Sequence, residues 1–145
     1  MLKITCSVLT ISDTRTLADD KSGNLLNQYI LDAGHGIHER VVVKDDIYAI
    51  RAAVSNWIAM PEVNVVITTG GTGFTGRDST PEALKPLFDK EIEGFGELFR
   101  QISYDEIGTS TIQSRAVGGL ANGTLIFSLP GSSGAVTTGW QKILL

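Results

Sequence analysis

The run from Lys3 to Ile11 is almost continuously apolar or β-branched, the pattern of a strand buried on both faces, and Ser12-Asp13-Thr14 ends it. Between Ser22 and Ala33 the apolar residues Leu25, Leu26, Tyr29, Ile30 and Ala33 return at helical spacing, with Gly34 as a stop. Val41-Val42-Val43 reads as a short second strand. Asp45 and Asp46 follow it as candidate caps for a helix whose face carries Ile47, Ile50, Val54, Trp57 and Ile58. A third buried strand spans Val63 to Thr69 and runs directly into Gly70-Gly71-Thr72-Gly73. Thr80-Pro81-Glu82 marks a helix start, with threonine as N-cap, proline in the first position and an acid in the first turn. Leu98, Phe99 and Ile102 predict a further helix after Gly94 and Gly96. Thr124 to Leu129 is the last clear strand. It is closed by Pro130-Gly131-Ser132-Ser133-Gly134, and a final helix begins near Ala135.

Strands alternating with helices predict an α/β domain around a mostly parallel sheet. The 145 residues suit a single domain, 1–145, without repeat or linker. A fold of this size buries roughly 70% of the surface of its unfolded chain and needs no staples. Leu145 falls only about three turns into the last helix, so a C-terminal tail beyond it is expected. With 42% hydrophobic and 19% charged residues the composition excludes wholesale disorder. Twelve basic against 16 acidic residues, a net charge of −4, argue against a nucleic-acid or anionic-membrane surface, leaving room for a local basic pocket. Cys6, the single cysteine, sits in an apolar run and cannot form an internal disulfide. No run approaches the roughly 18 apolar residues of a membrane helix, and Met1-Leu2-Lys3-Ile4 lacks a signal-peptide layout. A cytoplasmic domain is expected. Glycine is in excess, 16 of 145 residues, and several fall in one loop.

In an open parallel sheet ligands bind beyond the carboxyl ends of the strands, near the point where strand order reverses. The four strand exits here carry Ser12-Asp13, Asp45-Asp46, Gly70-Gly71-Thr72-Gly73 with Asp78 further on, and Pro130-Gly131-Ser132. All should open on one rim. The stretch Gly71 to Asp78 contains GxGxxG, but it follows the third strand and lacks an acid at a strand end roughly 20 residues on, so a dinucleotide fingerprint fits poorly. It also nearly spells a P-loop, yet Arg77 and Asp78 stand where lysine and Ser/Thr belong. Two readings remain. The glycines either form a strained turn or let backbone N–H groups cradle a phosphate or pyrophosphate.

Asp45 and Asp78 likewise read either as helix-start acids or as ligands for Mg²⁺, which commonly takes one or two carboxylates plus substrate phosphates. Ser132 is a turn residue or a hydroxyl donor to phosphate. His35 and His38 flank a turn with no partner at metal spacing, and no histidine accompanies a nucleophile, so acyl-transfer triads have no support. Trp57 and Trp140 sit at helical positions that suit core or interface.

These motifs resemble a known family. Thr69-Gly70-Gly71-Thr72-Gly73, Asp78, Thr80-Pro81-Glu82-Ala83 and Leu129-Pro130-Gly131-Ser132 are similar to the signature of the MoaB/MogA molybdenum-cofactor biosynthesis family. Glu93 to Arg100, Thr109-Ser110 and Ser114-Arg115-Ala116 add to the likeness, which covers nearly the whole chain and lies nearest the MoaB branch. The resemblance implies a three-layer α/β sandwich of the molybdopterin-binding, MogA-like fold, homotrimers or homohexamers, and partners among other molybdenum cofactor biosynthesis proteins. It also implies adenylylation of molybdopterin by Mg-ATP. Carried over by position, Asp78 matches a catalytic aspartate and Asp45 a second acid, both also candidate Mg²⁺ ligands. Ser132 matches the serine of a Pro-Gly-Ser pterin site, and Asp13 the acid after the first strand. Ser12, Gly70, Gly71, Thr72, Gly73, Pro130 and Gly131 complete the expected substrate-binding set. One departure is Lys44, where the adenylyltransferase branch usually has proline before the acid.

The residue chemistry is compatible with that reaction. A substrate monophosphate is mostly dianionic at neutral pH and needs no histidine base. Positioning, a metal on the ATP phosphates and donors for the leaving pyrophosphate suffice. The rival expectation is a non-catalytic oligomeric protein that binds or carries molybdopterin. Valine at Gly71 or Gly73 is expected to block a phosphate while sparing the fold.

Overall fold

Strand β1 (Thr5–Ile11) forms the interior of the sheet, with every residue after Thr5 buried, as its unbroken apolar run requires. The computed structural model describes residues 3–73 and 78–144. After β1 come α1 (Lys21–Asp32), β2 (Gly36–Val43), α2 (Ile47–Ile58), β3 (Val65–Thr69) and α3 (Thr80–Leu84). They are followed by β4 (Lys90–Glu91), α4 (Glu93–Ile107), β5 (Gly118–Ala121), β6 (Thr124–Leu129) and α5 (Ser133–Gly139), which continues as a π-helical turn over Trp140–Leu144.

The six strands make one sheet in the order β2-β1-β3-β6-β5-β4. The first four are mutually parallel, while β5 runs antiparallel to β6 and β4 antiparallel to β5. On one face Cys6, Val8 and Ile67 pack against Leu26 and Ile30 of α1, Phe95 and Phe99 of α4 and Val136 of α5. On the other, Leu9, Ile11, Val66 and Ile126 meet Ile50, Val54 and Trp57 of α2 and Leu84 of α3. This is the expected three-layer α/β sandwich. The chain leaves β1 outward to β2, then crosses to β3 on the opposite side of β1. Strand order therefore reverses between β1 and β3, with β6 directly alongside.

Several local expectations need correction. β2 begins at Gly36, not Val41; as an edge strand it exposes His38 and Glu39, so no apolar run announces it. Of the two acids after β2, Asp46 caps α2 by accepting from Ala49 N at 2.8 Å, and Asp45 does not. Ser79 occupies the cap position of α3, whereas the Thr80 hydroxyl donates to Gly70 O at 2.9 Å. α4 starts at Glu93 and contains both Gly94 and Gly96. Cys6 is buried, and desolvation pushes its thiol up to about 11. Among the described residues no helix is long and apolar enough to cross a membrane.

Candidate functional site

The four parallel strands release their loops along one edge, and short hydrogen bonds tie neighbouring exits together. Ser12 N donates to Val43 O at 2.9 Å, and Gly70 N to Leu129 O at 2.9 Å. Thr69 Oγ1 reaches Pro130 O at 2.9 Å, and Ser22 Oγ reaches Gly131 O at 2.6 Å. Gly70 and Gly71 have φ of 104° and 70°, which side-chain-bearing residues rarely adopt. The space is closed as well. A Cβ on Gly70 would stand 2.2 Å from Ile11 O, and one on Gly71 would stand 2.2 Å from Thr80 Oγ1.

Above these exits lies a cavity of about 690 Å³. Its walls include Ser12, Gly70, Gly71, Thr72, Gly73, Asp78, Pro130, Gly131 and Ser132, nine residues proposed from sequence as substrate-binding or catalytic. Arg15 adds a cation, and Ser110 and Gln113 enter from the segment after α4. Ser132 Oγ accepts from Ala135 N at 3.1 Å as the cap of α5, which leaves its O–H free to donate into the cavity. Residues 74–77 of the loop lie outside the described residues.

Asp13 and Asp45 are placed differently. Asp13 lines a neighbouring groove of about 590 Å³ beside β2, together with Arg40 and Lys44, and its Oδ1 accepts from Asp45 N at 3.1 Å. Asp45 is buried; its Oδ1 takes the Ser79 N–H at 3.0 Å and also the Ser79 hydroxyl. Its other oxygen would lie 3.2 Å from a Cβ on Gly71, which puts the carboxylate beneath the glycine loop. Asp45 thus fastens the exit of β2 to the start of α3, and of the two acids Asp78 is the one that lines the cavity.

The glycine expectation is revised on the same grounds. At Gly71 a Cβ would meet Thr80 and Asp45, so valine there attacks the fold before any ligand. At Gly73 it would meet the Asp78 carboxylate, 2.8 Å from Oδ2.

Arg115 escaped the reading by residue type. Its Nε donates to Gly73 O and its Nη2 to Asp78 O, both at 2.6 Å, and Nη1 pairs with Glu82 Oε2 at 2.5 Å. Its backbone N donates to Thr72 O at 2.9 Å. One rigid guanidinium therefore pins both ends of the segment that presents Asp78. A lone arginine between the 3₁₀ turns of Gly108–Gln113 and β5 carries no sequence signal for this; only the Ser114-Arg115-Ala116 resemblance touched it.

Among the described residues no group of three or more His, Cys, Asp or Glu side chains could hold a metal ion. A single cavity carboxylate, Asp78, instead suits a Mg²⁺ that arrives on substrate phosphates and takes one or two protein ligands.

A parallel sheet with a glycine loop at its switch point and a Pro-Gly-Ser exit beside it falls in a recognised class. Residues 7–145 match the family described as probable molybdopterin binding domain. The relatives narrow this. Molybdenum cofactor biosynthesis protein B of Escherichia coli K12 is 55% identical over 138 residues, covering 95% of this chain and 81% of that protein. Its counterpart in Bacillus cereus is 50% identical over 144 residues, 99% of this chain and 85% of that protein. A crystal structure of molybdenum cofactor biosynthesis protein B superposes with a TM-score of 0.95 at 50% identity, covering 99% of this chain and 89% of that one. The tungsten cofactor synthesizing protein MoaB of Pyrococcus furiosus gives 0.87 at 40% identity, covering 98% and 91%. The chain belongs to the MoaB/MogA family of molybdenum cofactor biosynthesis proteins.

Proposed function

We propose that the chain acts in molybdenum cofactor biosynthesis by binding molybdopterin in the carboxyl-edge cavity and adenylylating it with Mg-ATP. The observation that carries this reading is the convergence of three strand exits, Ser12, Gly70–Gly73 and Pro130–Ser132, with Asp78 on one cavity. Backbone N–H groups of the glycine loop and the Ser132 hydroxyl hold the pterin phosphate. A phosphate oxygen of molybdopterin attacks the α-phosphorus of ATP, the bond from that phosphorus to the bridging oxygen breaks, and pyrophosphate leaves. Asp78, together with the ATP phosphates, would hold a Mg²⁺ that would supply charge neutralisation on those phosphates. Arg115 keeps Asp78 in place.

The test is pyrophosphate release from ATP with molybdopterin present, with and without EDTA. Metal-dependent release supports the reading. Molybdopterin binding without release at any Mg²⁺ concentration sinks it in favour of a non-catalytic carrier. That second reading has one observation on its side: Asp45, the second candidate metal acid, is engaged with Ser79 and Asp13.

The reading also places the protein in the cytoplasm as a trimer or a dimer of trimers, in contact with other cofactor-building proteins. Exposed apolar side chains on α2 and α4, among them Tyr48, Leu98 and Tyr104, offer surface for assembly. A 15.5 kDa sedimenting species at micromolar concentration would count against the oligomer.

A further inference from the structure

Among the described residues β2 is an edge strand, paired on one side only, with β1. Val43 O accepts from Ser12 N, so the backbone groups of Val43 point toward β1. Along a strand these groups alternate in direction from residue to residue, so the N–H and C=O of Arg40 and Val42 point out of the sheet. Beside them runs the groove of about 590 Å³, which touches every residue from 40 to 44 and has the loop of residues 12–17 as its other wall. Its charged side chains are Arg15, Arg40 and Lys44 against one acid, Asp13, in a chain of net charge −4. Arg40 gives Nη2 to Asp20 Oδ2 at 3.1 Å, and its Nε is buried without a hydrogen-bond partner. Arg15 and Lys44 are exposed and form no ion pair among the described residues. Leu17, half exposed, adds an apolar contact on the loop wall. At the other end of β2, His38 is the extra residue of a bulge, which confines regular pairing to the stretch along the groove.

We propose that this edge docks an extended acidic segment of a partner protein, which joins the sheet as a further strand against residues 40–44. The edge offers donors and acceptors in equal number, the N–H and C=O groups of Arg40 and Val42. A second backbone satisfies both kinds. A phosphate in the same place would pair with the N–H groups and face the carbonyl oxygens, so the cations suit it but the edge does not. Side chains supply the selection. Val41 and Val43 pack toward α2, which leaves Arg40, Val42 and Lys44 together on the opposite face. The docked strand therefore carries acid, apolar and acid at alternate positions on that face. A second copy of this chain fits less well, because the fullest antiparallel self-pairing, centred on Val42, sets Arg40 of one copy against Lys44 of the other. The groove shares Ser12, Thr14 and Arg15 with the ligand cavity. A partner held here stands at the cavity mouth, where a protein that delivers a substrate or takes away a product has to be.

The experiment uses the full chain and two end-blocked, fluorescein-labelled peptides, Glu-Thr-Val-Thr-Glu and Lys-Thr-Val-Thr-Lys, whose palindromic order fits either strand direction. Fluorescence polarisation reads affinity, and backbone amide hydrogen exchange reads position. The acidic peptide should bind at least tenfold tighter than the basic one and weaken as salt rises. It should slow exchange at Arg40 and Val42 at least tenfold and leave Val43, already in the ladder, unchanged. Lys44→Glu should weaken the acidic peptide at least tenfold at an unchanged melting temperature. Val42→Pro removes an N–H that the ladder does not use, so the protein should stay folded and lose the peptide; if that variant does not fold, Lys44→Glu decides alone. Equal affinity for the two peptides, or no binding of either at about 1 mM, overturns the proposal. So does binding that leaves exchange at Arg40 and Val42 untouched. Slow exchange at both amides without peptide, growing with protein concentration, overturns it in favour of a second copy. ATP that displaces the acidic peptide and itself slows these amides overturns it in favour of a nucleotide. None of these readings uses pyrophosphate release, so docking and adenylylation stand or fall separately.

Discussion

Asp45 and Asp78 leave the same edge of one sheet, the first after β2 and the second after β3, and the molecule uses them differently. Asp45 is buried at 8% exposure, with Ser79 on one carboxylate oxygen and the glycine loop above the other. Asp78 lines the cavity, and its backbone carbonyl is gripped by Arg115. Residue type and rim position nominated both acids equally. What separates them is the neighbour: a serine across the fold turns one carboxylate into a fastener, and a guanidinium holds the other at a surface a ligand can reach.

The largest effect should come from Asp78→Asn. Pyrophosphate release is expected to fall at least a hundredfold, because charge neutralisation at the phosphates carries this chemistry. Melting temperature should move by no more than about 2 °C, and molybdopterin affinity should stay within a few-fold. The comparison breaks if Asp45→Asn instead abolishes release at unchanged melting temperature while Asp78→Asn is tolerated.

The glycines sharpen the same contrast. Gly70→Ala forces a Cβ against Ile11 O at a φ of 104°, and should cost about 3 kcal/mol or more, roughly 10 °C in melting temperature. Gly73→Ala has no positive φ to strain and meets the movable end of Asp78. Its cost in a denaturant titration should stay under about 1 kcal/mol, while release of pyrophosphate drops about tenfold. Equal destabilisation by both would show that Gly73 is as structural as Gly70.

Asp45→Ala leaves the Ser79 N–H and hydroxyl without their acceptor, an expected loss of about 1–3 kcal/mol in chemical denaturation. A neutral outcome would mean that water replaces the carboxylate and that the fastener role is wrong.

The smallest effect sets the pH window for these measurements. Burial raises the Cys6 thiol from 9.0 to about 11. The folded state therefore keeps its proton where the unfolded chain releases it, so stability is full below pH 9 and declines as pH rises toward 11. By pH 10 the loss is about 1.4 kcal/mol. Denaturation from pH 8 to 11 should show that slope in the wild type and lose it in Cys6→Ala; an unchanged slope assigns it to another group.

Much of this was legible beforehand. β1, β3, β6 and α2 follow directly from apolar runs and helical spacing, and the exits of three parallel strands predicted the cavity. β5 was hidden because Gly118-Gly119-Leu120-Ala121 has little strand propensity. Its glycines serve contacts instead: a Cβ on Gly119 would lie 2.3 Å from the Phe88 ring, and one on Gly118 would lie 3.1 Å from Phe127. β4, with two charged residues, offers no pattern. Gly96 escaped the helix reading for a similar reason, since its bare Cα lies against Ala116 O. In the site, Asp45 and Arg115 were opaque because their roles depend on partners, Ser79 and Gly73, that are brought close only by the folded topology.

That topology also fixes when the cavity can exist. The ladder pairs Cys6 with Val65 and Val65 with Leu125, so its central contacts join distant parts of the chain. Such pairings bear their loop-closure entropy before returning any contact. On the ribosome β1, α1, β2, α2 and β3 emerge first and can dock, but β3 then presents one edge of unpaired N–H and C=O groups, a template for any other extended segment. β6 closes that edge, and the next residues to emerge, Pro130 to Ser132, are those that complete the ligand cavity. Completion of the cavity walls and protection of that edge therefore arrive in the same step of synthesis.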